Sequence, residues 1–375
     1  MQKPTSRLAA IDGLRGMAIL AIVLHHLVSP SVVPGWHAVT IGALTIPIAS
    51  PITNSWLAVN LFFVLSGFVI FLPYAAGRRA LDSSAACFAF WRARARRLFP
   101  LLCIVSFVSV FLGESLLDPA LIREFLLLVS GLFVFTKDFW MPPQNVVLWS
   151  LGAEIWMSLL FPLVATAFFR FGPSRATAAI FLSSLAVRFT ATWLCAGEFQ
   201  VNAYLDRLAD SFAGRLDDFA LGMLIAARWA ERPATDRSAR GLWLFVSGAA
   251  AVWLVATLWD LVSLGFIPRR YSCFLNPLMA IGSFGLLAGA LASCNGIIAR
   301  LLRNRALGAI GVACYSIYAW HFLVERAILP WIPGRPIGVG DIPSILLYGA
   351  VLSAVSFVSY RLIEQNPLWT PRRTP

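Results

Sequence analysis

The sequence predicts an all-α protein that crosses a membrane about ten times. Hydrophobic residues make up 59% of the 375 residues and charged residues only 13%, whereas a soluble domain has about 25% charged residues. Several apolar runs exceed the roughly 18 residues that mark a membrane-spanning helix. Arginines are concentrated in the short connections between these runs, as the positive-inside rule predicts for cytoplasmic loops.

Apolar runs follow one another along the chain with no long linker and no clear internal repeat. We expect helices in these runs, which cover residues 9–29, 56–75, 99–117, 122–136, 147–169, 177–195, 211–229, 241–263, 272–293, 307–329 and 343–363. The first run lacks a small-residue cleavage site and contains ionisable residues, so we interpret it as a retained helix rather than a signal peptide. The sequence therefore predicts a single integral membrane domain over residues 1–375, surrounded by the lipid bilayer.

The arginine-rich connections decide how many of the runs cross the membrane. Segments 76–98, 228–240 and 300–305 and the C-terminal tail contain clusters of arginines and are expected in the cytoplasm. Between the first two of these segments the chain must cross an even number of times, yet five runs lie there. Run 122–136 is the shortest, and a polar, proline-containing stretch follows it, so we interpret it as a re-entrant or interfacial segment. The result is ten spans with the N- and C-termini in the cytoplasm.

The charge distribution and the cysteine spacing argue against nucleic-acid binding and metal binding. The net charge of +12 comes from basic loops next to the membrane and does not indicate nucleic-acid binding. The six cysteines are scattered, and none has the CxxC or Cys/His spacing of a metal site. We therefore expect no nucleic-acid partner and no bound metal.

The first apolar run places ionisable residues on one helix face. Arg15 and His26 are eleven residues apart, which is about three turns of an α-helix, so both side chains face the same way about 16 Å apart along the axis. His25 points about 100° away from His26. Titratable groups within a membrane are costly and usually face a polar cavity or a partner. The pattern predicts a site for an anionic or polar molecule, in which His26 is a proton acceptor at the end that lies deeper in the membrane.

Two further segments combine charged and polar residues at helical spacing. Arg94 and Arg97, where a cytoplasmic loop enters a span, share a helix face and predict either a phosphate clamp or a membrane-surface anchor. Ser150 and Glu154 lie one turn apart near the start of run 147–169. Glu154 is then either a helix-start acid stabilised by the macrodipole or a carboxylate that orients a histidine. His321 has two interpretations as well, as a hydrogen-bond donor between helices or as part of a site.

Two sets of charged residues are interpreted as structural. Arg188 lies inside the sixth run and is expected to pair with an acid, because a buried cation needs a partner. The candidate partners are Asp217 and Asp218, which form a cluster with Arg215 in the seventh run. Glu364, at the cytoplasmic end of the last run, is expected to form a salt bridge with a basic loop.

A series of short motifs extends through nearly the whole chain. It comprises Asp12–Gly–Leu–Arg15–Gly with His26, Asn60–Leu–Phe–Phe–Val–Leu–Ser66–Gly67–Phe, Arg94-x-x-Arg97 with Pro100, Trp149–Ser150–Leu151-x-x-Glu154 with Phe161–Pro162, Gly222–Met223, Tyr315–Ser–Ile–Tyr318 with His321, and Tyr360-x-x-Ile363–Glu364-x-x-Pro367. In this order and spacing, the motifs resemble the acyltransferase-3 family of integral membrane acyltransferases, which O-acylate sugars, polysaccharides, lipids and some antibiotics. The ten-span core of that family is similar to the number of spans predicted above.

The resemblance implies a role for individual residues. His26 matches the histidine regarded as essential for transfer. The arginines associated with the acyl donor are matched by Arg15, Arg94 and Arg97. The Ser-x-x-x-Glu element of the family is matched by Ser150 and Glu154. Supporting or substrate-binding roles are implied for Asp12, Trp149, Tyr318 and His321.

The sequence departs from the family pattern around Glu154. Gly152–Ala153 stands where Ser–Val is commoner, and Ile155–Trp156 stands where a polar residue and Phe are commoner. Glu154 itself is retained, but its local contacts cannot be inferred from the family pattern. Some members of the family also carry an extracytoplasmic hydrolase-like domain, and because this chain ends at Pro375 we expect no fused domain of that kind.

We expect an acyltransferase that moves an acyl group, with acetyl as the default, from cytoplasmic acyl-CoA to a hydroxyl of a sugar-containing acceptor. His26 acts in this hypothesis as the general base, and Glu154, or alternatively His321, orients it. Acyl-CoA is a co-substrate, so no permanently bound cofactor is expected. The expected location is the cytoplasmic (inner) membrane of a bacterium. The alternative is a transporter or flippase of a lipid-linked sugar, which would also use intramembrane Arg, Glu and His.

Overall fold

The computed structural model describes residues 5–28, 38–41, 44–47, 50–195, 205–231, 238–293, 296–329 and 341–367. These residues form two compact units. Unit 1 holds the described residues up to 80 and from 163 to 312, and unit 2 holds those from 81 to 162 and from 313 onward.

Helices dominate the described chain. In chain order they are α1 (Thr5–Val28), α2 (Ser50–Thr53), α3 (Ala58–Ala75), α4 (Ser84–Phe111), α5 (Pro119–Ser130), α6 (Leu148–Phe171), α7 (Pro173–Phe189), α8 (Phe212–Ala230), α9 (Ser238–Ser263), α10 (Leu275–Ala292), α11 (Ile297–Leu302), α12 (Arg305–Val312), α13 (Cys314–Ile328) and α14 (Ile342–Ser359). Short 3₁₀ turns cover Ser55–Leu57, Leu132–Phe135 and Arg269–Phe274, and π-helical turns extend α7 and α14 over Thr190–Leu194 and Tyr360–Glu364. The helical fold that the sequence predicts is confirmed.

One element was not predicted. Strands β1 (Ala38–Ile41) and β2 (Leu44–Pro47) form a short antiparallel hairpin in which Val39 pairs with Ile46. Each strand has four residues, so the hairpin adds little to a fold that is otherwise helical.

Seven helical segments within the described ranges are long and apolar enough to cross a membrane, or eight if α12 and α13 together form one span. The predicted spans 99–117 and 211–229 fall on α4 and α8, and both helices contain clusters of charged residues. The chain is thus an integral membrane protein by the number of its apolar helices and their length. The total of ten spans and the cytoplasmic position of the termini stay predictions.

Run 122–136, predicted not to span, folds mainly as α5. This helix has 12 residues, so it is about 18 Å long at the usual rise per residue. The hydrocarbon core of a bilayer is about 30 Å thick. A helix of this length is too short to cross, which agrees with a re-entrant or interfacial segment.

Run 307–329 differs from the expected single helix, because α12 ends at Val312 and α13 begins at Cys314. Glu364 accepts hydrogen bonds from the backbone nitrogen of Ser316 at 3.1 Å and from its hydroxyl at 2.5 Å. Free N–H groups in a first helical turn need such acceptors. Glu364, which was expected to form a salt bridge with a basic loop, thus caps α13 within unit 2. The break between α12 and α13 was not predicted, because hydropathy alone carries no signal of it.

Glycines let helices of unit 1 approach one another closely. A Cβ added to Gly222 of α8 would lie 1.9 Å from the carbonyl oxygen of Val64 in α3. A Cβ added to Gly311 of α12 would lie 1.7 Å from the carbonyl oxygen of Asp12 in α1. Small residues are common where membrane helices pack this tightly. The contact at Gly311 fixes the turn of α1 that carries Asp12 and Arg15.

Buried ion pairs lie between α7 and α8 and at the start of α8 in unit 1. Arg188 donates to the two carboxylate oxygens of Asp217 at 3.0 and 2.5 Å, and the two side chains are 0% and 1% exposed. Arg215 donates to Asp210 at 2.5 Å. The prediction that Arg188 pairs with an acid of this cluster is confirmed, with Asp217 as the partner. Each cation has a carboxylate in hydrogen-bond contact, which makes its burial tolerable.

Candidate active site

The first helix carries three of the predicted site residues in unit 1. α1 runs unbroken through Asp12, Arg15 and His26, so the predicted separation of about three turns between Arg15 and His26 is kept. Arg15 Nη1 lies 3.6 Å from Asp12 Oδ1, and the two side chains are 22% and 33% exposed. His26 is half-buried. An arginine held this loosely and still partly exposed can bind an anion.

His25 is fixed by a hydrogen bond that the sequence did not predict. Its Nδ1 lies 2.8 Å from the carbonyl oxygen of Thr53, and because a carbonyl oxygen only accepts, the Nδ1–H donates. The ring of His25 packs edge-on against the ring of His26, with centroids 5.1 Å apart. His25, which points away from the predicted face, therefore supports the ring of its neighbour.

Asp260 of α9 holds the turn to which His25 is bonded. Its carboxylate accepts hydrogen bonds from Ser50 Oγ at 2.5 Å and from Asn54 Nδ2 at 2.6 Å. The α2 turn is thereby tied to α9, and with it the carbonyl that receives His25. Asp260 was not among the predicted site residues, although an isolated acid in the apolar run 241–263 is a signal that could have found it.

An ion pair joins two of the predicted site residues in unit 2. Arg94 of α4 donates from Nη2 to Glu154 Oε1 of α6 at 2.6 Å, and from Nε to Ser158 Oγ at 3.1 Å. The side chains of Arg94 and Glu154 are 14% and 22% exposed. These charge-assisted bonds fix the plane of the guanidinium. The contact gives Glu154 a role that the sequence did not suggest, while its partnership with His26, which belongs to unit 1, stays a prediction.

Arg97 lies one turn beyond Arg94 on the same helix and differs from it. Its side chain is exposed, and it forms no hydrogen bond or ion pair within the part of the chain that the structure describes. The helix is anchored beside it, because the hydroxyl of Tyr315 in α13 donates to the carbonyl oxygen of Leu98 at 2.7 Å. The two arginines predicted to bind the same donor are therefore unlike: Arg94 is held in place and Arg97 is available.

Ser150, Tyr318 and His321 lie at a buried contact between α6 and α13 of unit 2, and Trp149 is buried beside Ser150 on α6. The hydroxyls of Ser150 and Tyr318 are 2.6 Å apart, and Tyr318 donates to the carbonyl oxygen of Val147 at 2.9 Å. Nδ1 of His321, whose side chain is fully buried, donates to the carbonyl oxygen of Tyr318 at 2.7 Å. Trp149 is 6% exposed. These contacts fix α6 against α13, and a substrate-binding role for the four side chains stays a prediction.

Comparisons with known proteins reveal O-acetyltransferases that are similar over most of this chain. It is 24% identical over 384 residues to O-acetyltransferase OatA of Staphylococcus aureus (strain NCTC 8325 / PS 47), which covers 95% of this chain and 56% of that protein. It is 21% identical over 374 residues to the putative O-acetyltransferase SACOL0978 of Staphylococcus aureus (strain COL), which covers 94% of this chain and 56% of that protein. The chain thus spans little more than half the length of these relatives. No solved structure matches it.

The match to a family model covers nearly the whole chain. The acyltransferase-3 model, described as an acyltransferase domain, aligns with residues 8–361. This range includes every predicted site residue, from Asp12 to His321. The chain therefore belongs to the acyltransferase-3 family.

Proposed function

We propose that this enzyme transfers an acyl group, acetyl in the first instance, from cytoplasmic acyl-CoA to a hydroxyl of a sugar-containing acceptor, in the cytoplasmic membrane of a bacterium. The observation that carries the proposal is the arginine face of α4, on which Arg97 is exposed one turn from the fixed Arg94. The similarity to O-acetyltransferases supports O-acetyl transfer. A donor that carries phosphate groups would need such a cationic surface.

Coenzyme A suits this arginine face because it carries several phosphate charges. A guanidinium fork matches phosphate oxygens in a bidentate arrangement. Arg97 binds a phosphate directly in this proposal, and Arg94, held by Glu154, adds a positive charge in a fixed position. Arg15, held loosely by Asp12, is a third contact to the donor. The predicted topology puts all three arginines near the cytoplasmic surface, where acyl-CoA is found.

His26 is the general base in the proposed reaction. One nitrogen of the imidazole takes the proton of the acceptor hydroxyl while the oxygen attacks the thioester carbonyl. The tetrahedral intermediate collapses by breaking the carbon–sulfur bond, and the coenzyme A thiolate leaves and receives the proton from the imidazolium. The products are the acylated acceptor and free coenzyme A. The bond from His25 to Thr53 supports this role because it steadies the ring beside the base.

Turnover of radiolabelled acetyl-CoA by the purified protein in nanodiscs tests the proposal. The wild type should release coenzyme A or label a co-purified acceptor. His26→Ala should lose at least about 10²-fold in rate, the usual contribution of a general base, while binding of acetyl-CoA stays measurable. Thermal melting of both proteins establishes that the variant is folded.

Two results would contradict the proposal in different ways. Loss of donor binding in a folded His26→Ala protein would count against His26 as the base. A wild type that neither binds nor consumes acetyl-CoA or any other acyl-CoA would remove the donor assignment. Transport of a lipid-linked sugar would then be the function to test next.

A further inference from the structure

A pocket in unit 1 lies where α7 and α9 end and where α8 and α10 begin. Its space, including the opening, is about 330 Å³, and its closed inner part has room for one group the size of a hydroxyl. The residues that matter for its chemistry are Arg188, Asp206, Asp210, Trp259, Arg269 and Ser272. In the predicted topology these helix ends face the external side, as does the end of α1 that carries His26.

The charged side chains that line the pocket balance one another. Two are acidic and two are basic. One acid and one base are also engaged elsewhere, since Arg188 is bonded to Asp217 and Asp210 is bonded to Arg215. A lining without net charge favours neither an anion nor a metal cation. It suits a neutral group that both donates and accepts hydrogen bonds.

Asp206 and Arg188, which line the pocket, each have a buried polar atom without a hydrogen-bond partner among the described residues. Asp206 is 5% exposed, and its Oδ1 accepts from the backbone nitrogens of Leu208 and Ala209 at 2.9 and 3.1 Å, whereas Oδ2 accepts from none. Nε of Arg188, which is fully buried, donates to none. Buried polar groups are nearly always hydrogen-bonded. An acceptor and a donor of this kind in one lining suit a ligand that supplies both functions, and a hydroxyl group does so.

The pocket and the histidine end of α1 are attached to consecutive residues of α9. Trp259 forms an apolar wall of the pocket, and its ring packs edge-on against Trp56 with centroids 5.5 Å apart. Asp260, the next residue, holds the turn that receives His25. A molecule in the pocket therefore rests on the same end of α9 that positions the proposed base.

We propose that this pocket binds a sugar hydroxyl of the acceptor, other than the hydroxyl that is acylated. That hydroxyl donates its hydrogen to Oδ2 of Asp206 and accepts one from Nε of Arg188, and an apolar edge of the sugar ring rests on Trp259. The ligand class is a neutral pyranoside. This proposal rests on the proposed function, because it assigns a binding site to the acceptor of that reaction.

Saturation-transfer NMR on the protein in nanodiscs tests the site. The probes are the methyl α-pyranosides of glucose, galactose and mannose, with methoxycyclohexane as a control that has the ring and no hydroxyl. At least one glycoside should receive saturation from the wild type, and methoxycyclohexane should not compete with it.

Matched variants connect this binding to the pocket. Asp206→Asn keeps the oxygen that caps the turn and replaces Oδ2 with an amide donor, so it should weaken glycoside binding about tenfold, as expected for the loss of a hydrogen bond to a charged group. Ser272→Val adds volume to the lining without changing a charge and should also weaken binding. Glu231→Gln, at the other end of α8 with a side chain 56% exposed, should bind like the wild type.

The outcomes separate this proposal from the proposed function. The site is overturned if no glycoside binds, or if a folded Asp206→Asn protein binds like the wild type; the two polar atoms then hold only water. Should Asp206→Asn not fold, wild-type binding by Ser272→Val overturns it. Release of coenzyme A is measured on the same samples. Turnover without glycoside binding overturns only the proposed sugar site. Glycoside binding without turnover of any acyl-CoA overturns the proposed acyl transfer and supports the sugar site.

Discussion

The two units hold their charged residues in different ways. In unit 1, the side chains of Arg188 and Asp217 are 0% and 1% exposed and are bonded to each other. In unit 2, those of Arg94 and Glu154 are 14% and 22% exposed, and the exposed Arg97 lies one turn away. A pair sealed from solvent mainly affects stability, whereas a partly exposed pair beside an available cation has the character of a binding site. Exposure thus separates the arginine that holds two helices together from the arginines that we propose as binding residues.

Breaking the buried pair should have the largest effect. Arg188→Met leaves the Asp217 carboxylate buried without its cation, which typically costs about 3–5 kcal/mol of stability. The double variant Arg188→Met/Asp217→Leu should recover most of that loss, because no uncompensated charge remains. Chemical denaturation of the purified protein in detergent measures the free energy of unfolding of all three proteins. A single variant as stable as the wild type would show that the pair does not stabilise the fold.

The partly exposed pair should affect catalysis more than folding. Glu154→Gln keeps an acceptor oxygen but removes the negative charge from the bond to Arg94, so the apparent KM for acetyl-CoA should rise about tenfold. If Glu154 acts only through Arg94, the same substitution should change nothing further in an Arg94→Ala background. Steady-state kinetics of the four proteins complete the cycle. A further fall of kcat in the Arg94→Ala background would instead assign Glu154 to His26.

Asp260→Asn should have a smaller effect than either of these changes. Asn keeps one acceptor oxygen for the α2 turn but loses the negative charge, so kcat should fall several-fold, about the value of one ordinary hydrogen bond. The KM for acetyl-CoA should not change, because the turn supports His25 and not the donor. Thr257→Ala, three residues earlier on α9, serves as the control and should behave like the wild type. Equal losses in both variants would mean that the effect is a general weakening of α9.

Local patterns in the sequence predicted most of the helices and one helix face correctly. The apolar runs correspond to helices because a chain in a membrane must satisfy its backbone hydrogen bonds internally. Arg15 and His26 lie on one unbroken helix, since their spacing depends only on helix geometry. Arg188 has an acid partner because an unpaired cation is too costly to bury. Each of these inferences needed only local spacing or the solvation cost of a charge.

Contacts between distant segments could not be predicted in the same way. Asp260 is bonded to Asn54, which is 206 residues away, and no periodicity links the two. Glu154 is paired with Arg94, which is 60 residues away, although its position in the sequence suggested interaction with the helix dipole or with a histidine. The break before Cys314 depends on the cap that Glu364 provides, 48 residues beyond Ser316. For Glu154 and Glu364 the pattern indicated that an acid needs a partner, whereas Asp260 was overlooked, and only the fold identified the three partners.

Equilibrium binding of coenzyme A to Arg97→Gln measures whether the arginine face of α4 binds the acyl donor. Isothermal titration in nanodiscs compares it with the wild type and with Arg228→Gln, which removes another exposed arginine, one that is paired with Glu231 in unit 1. We expect Arg97→Gln to weaken binding about tenfold, as the loss of a hydrogen bond to a charged group implies, and Arg228→Gln to bind like the wild type. Wild-type affinity in Arg97→Gln, or equal weakening in both variants, would contradict the assignment of the α4 arginine face to the acyl donor.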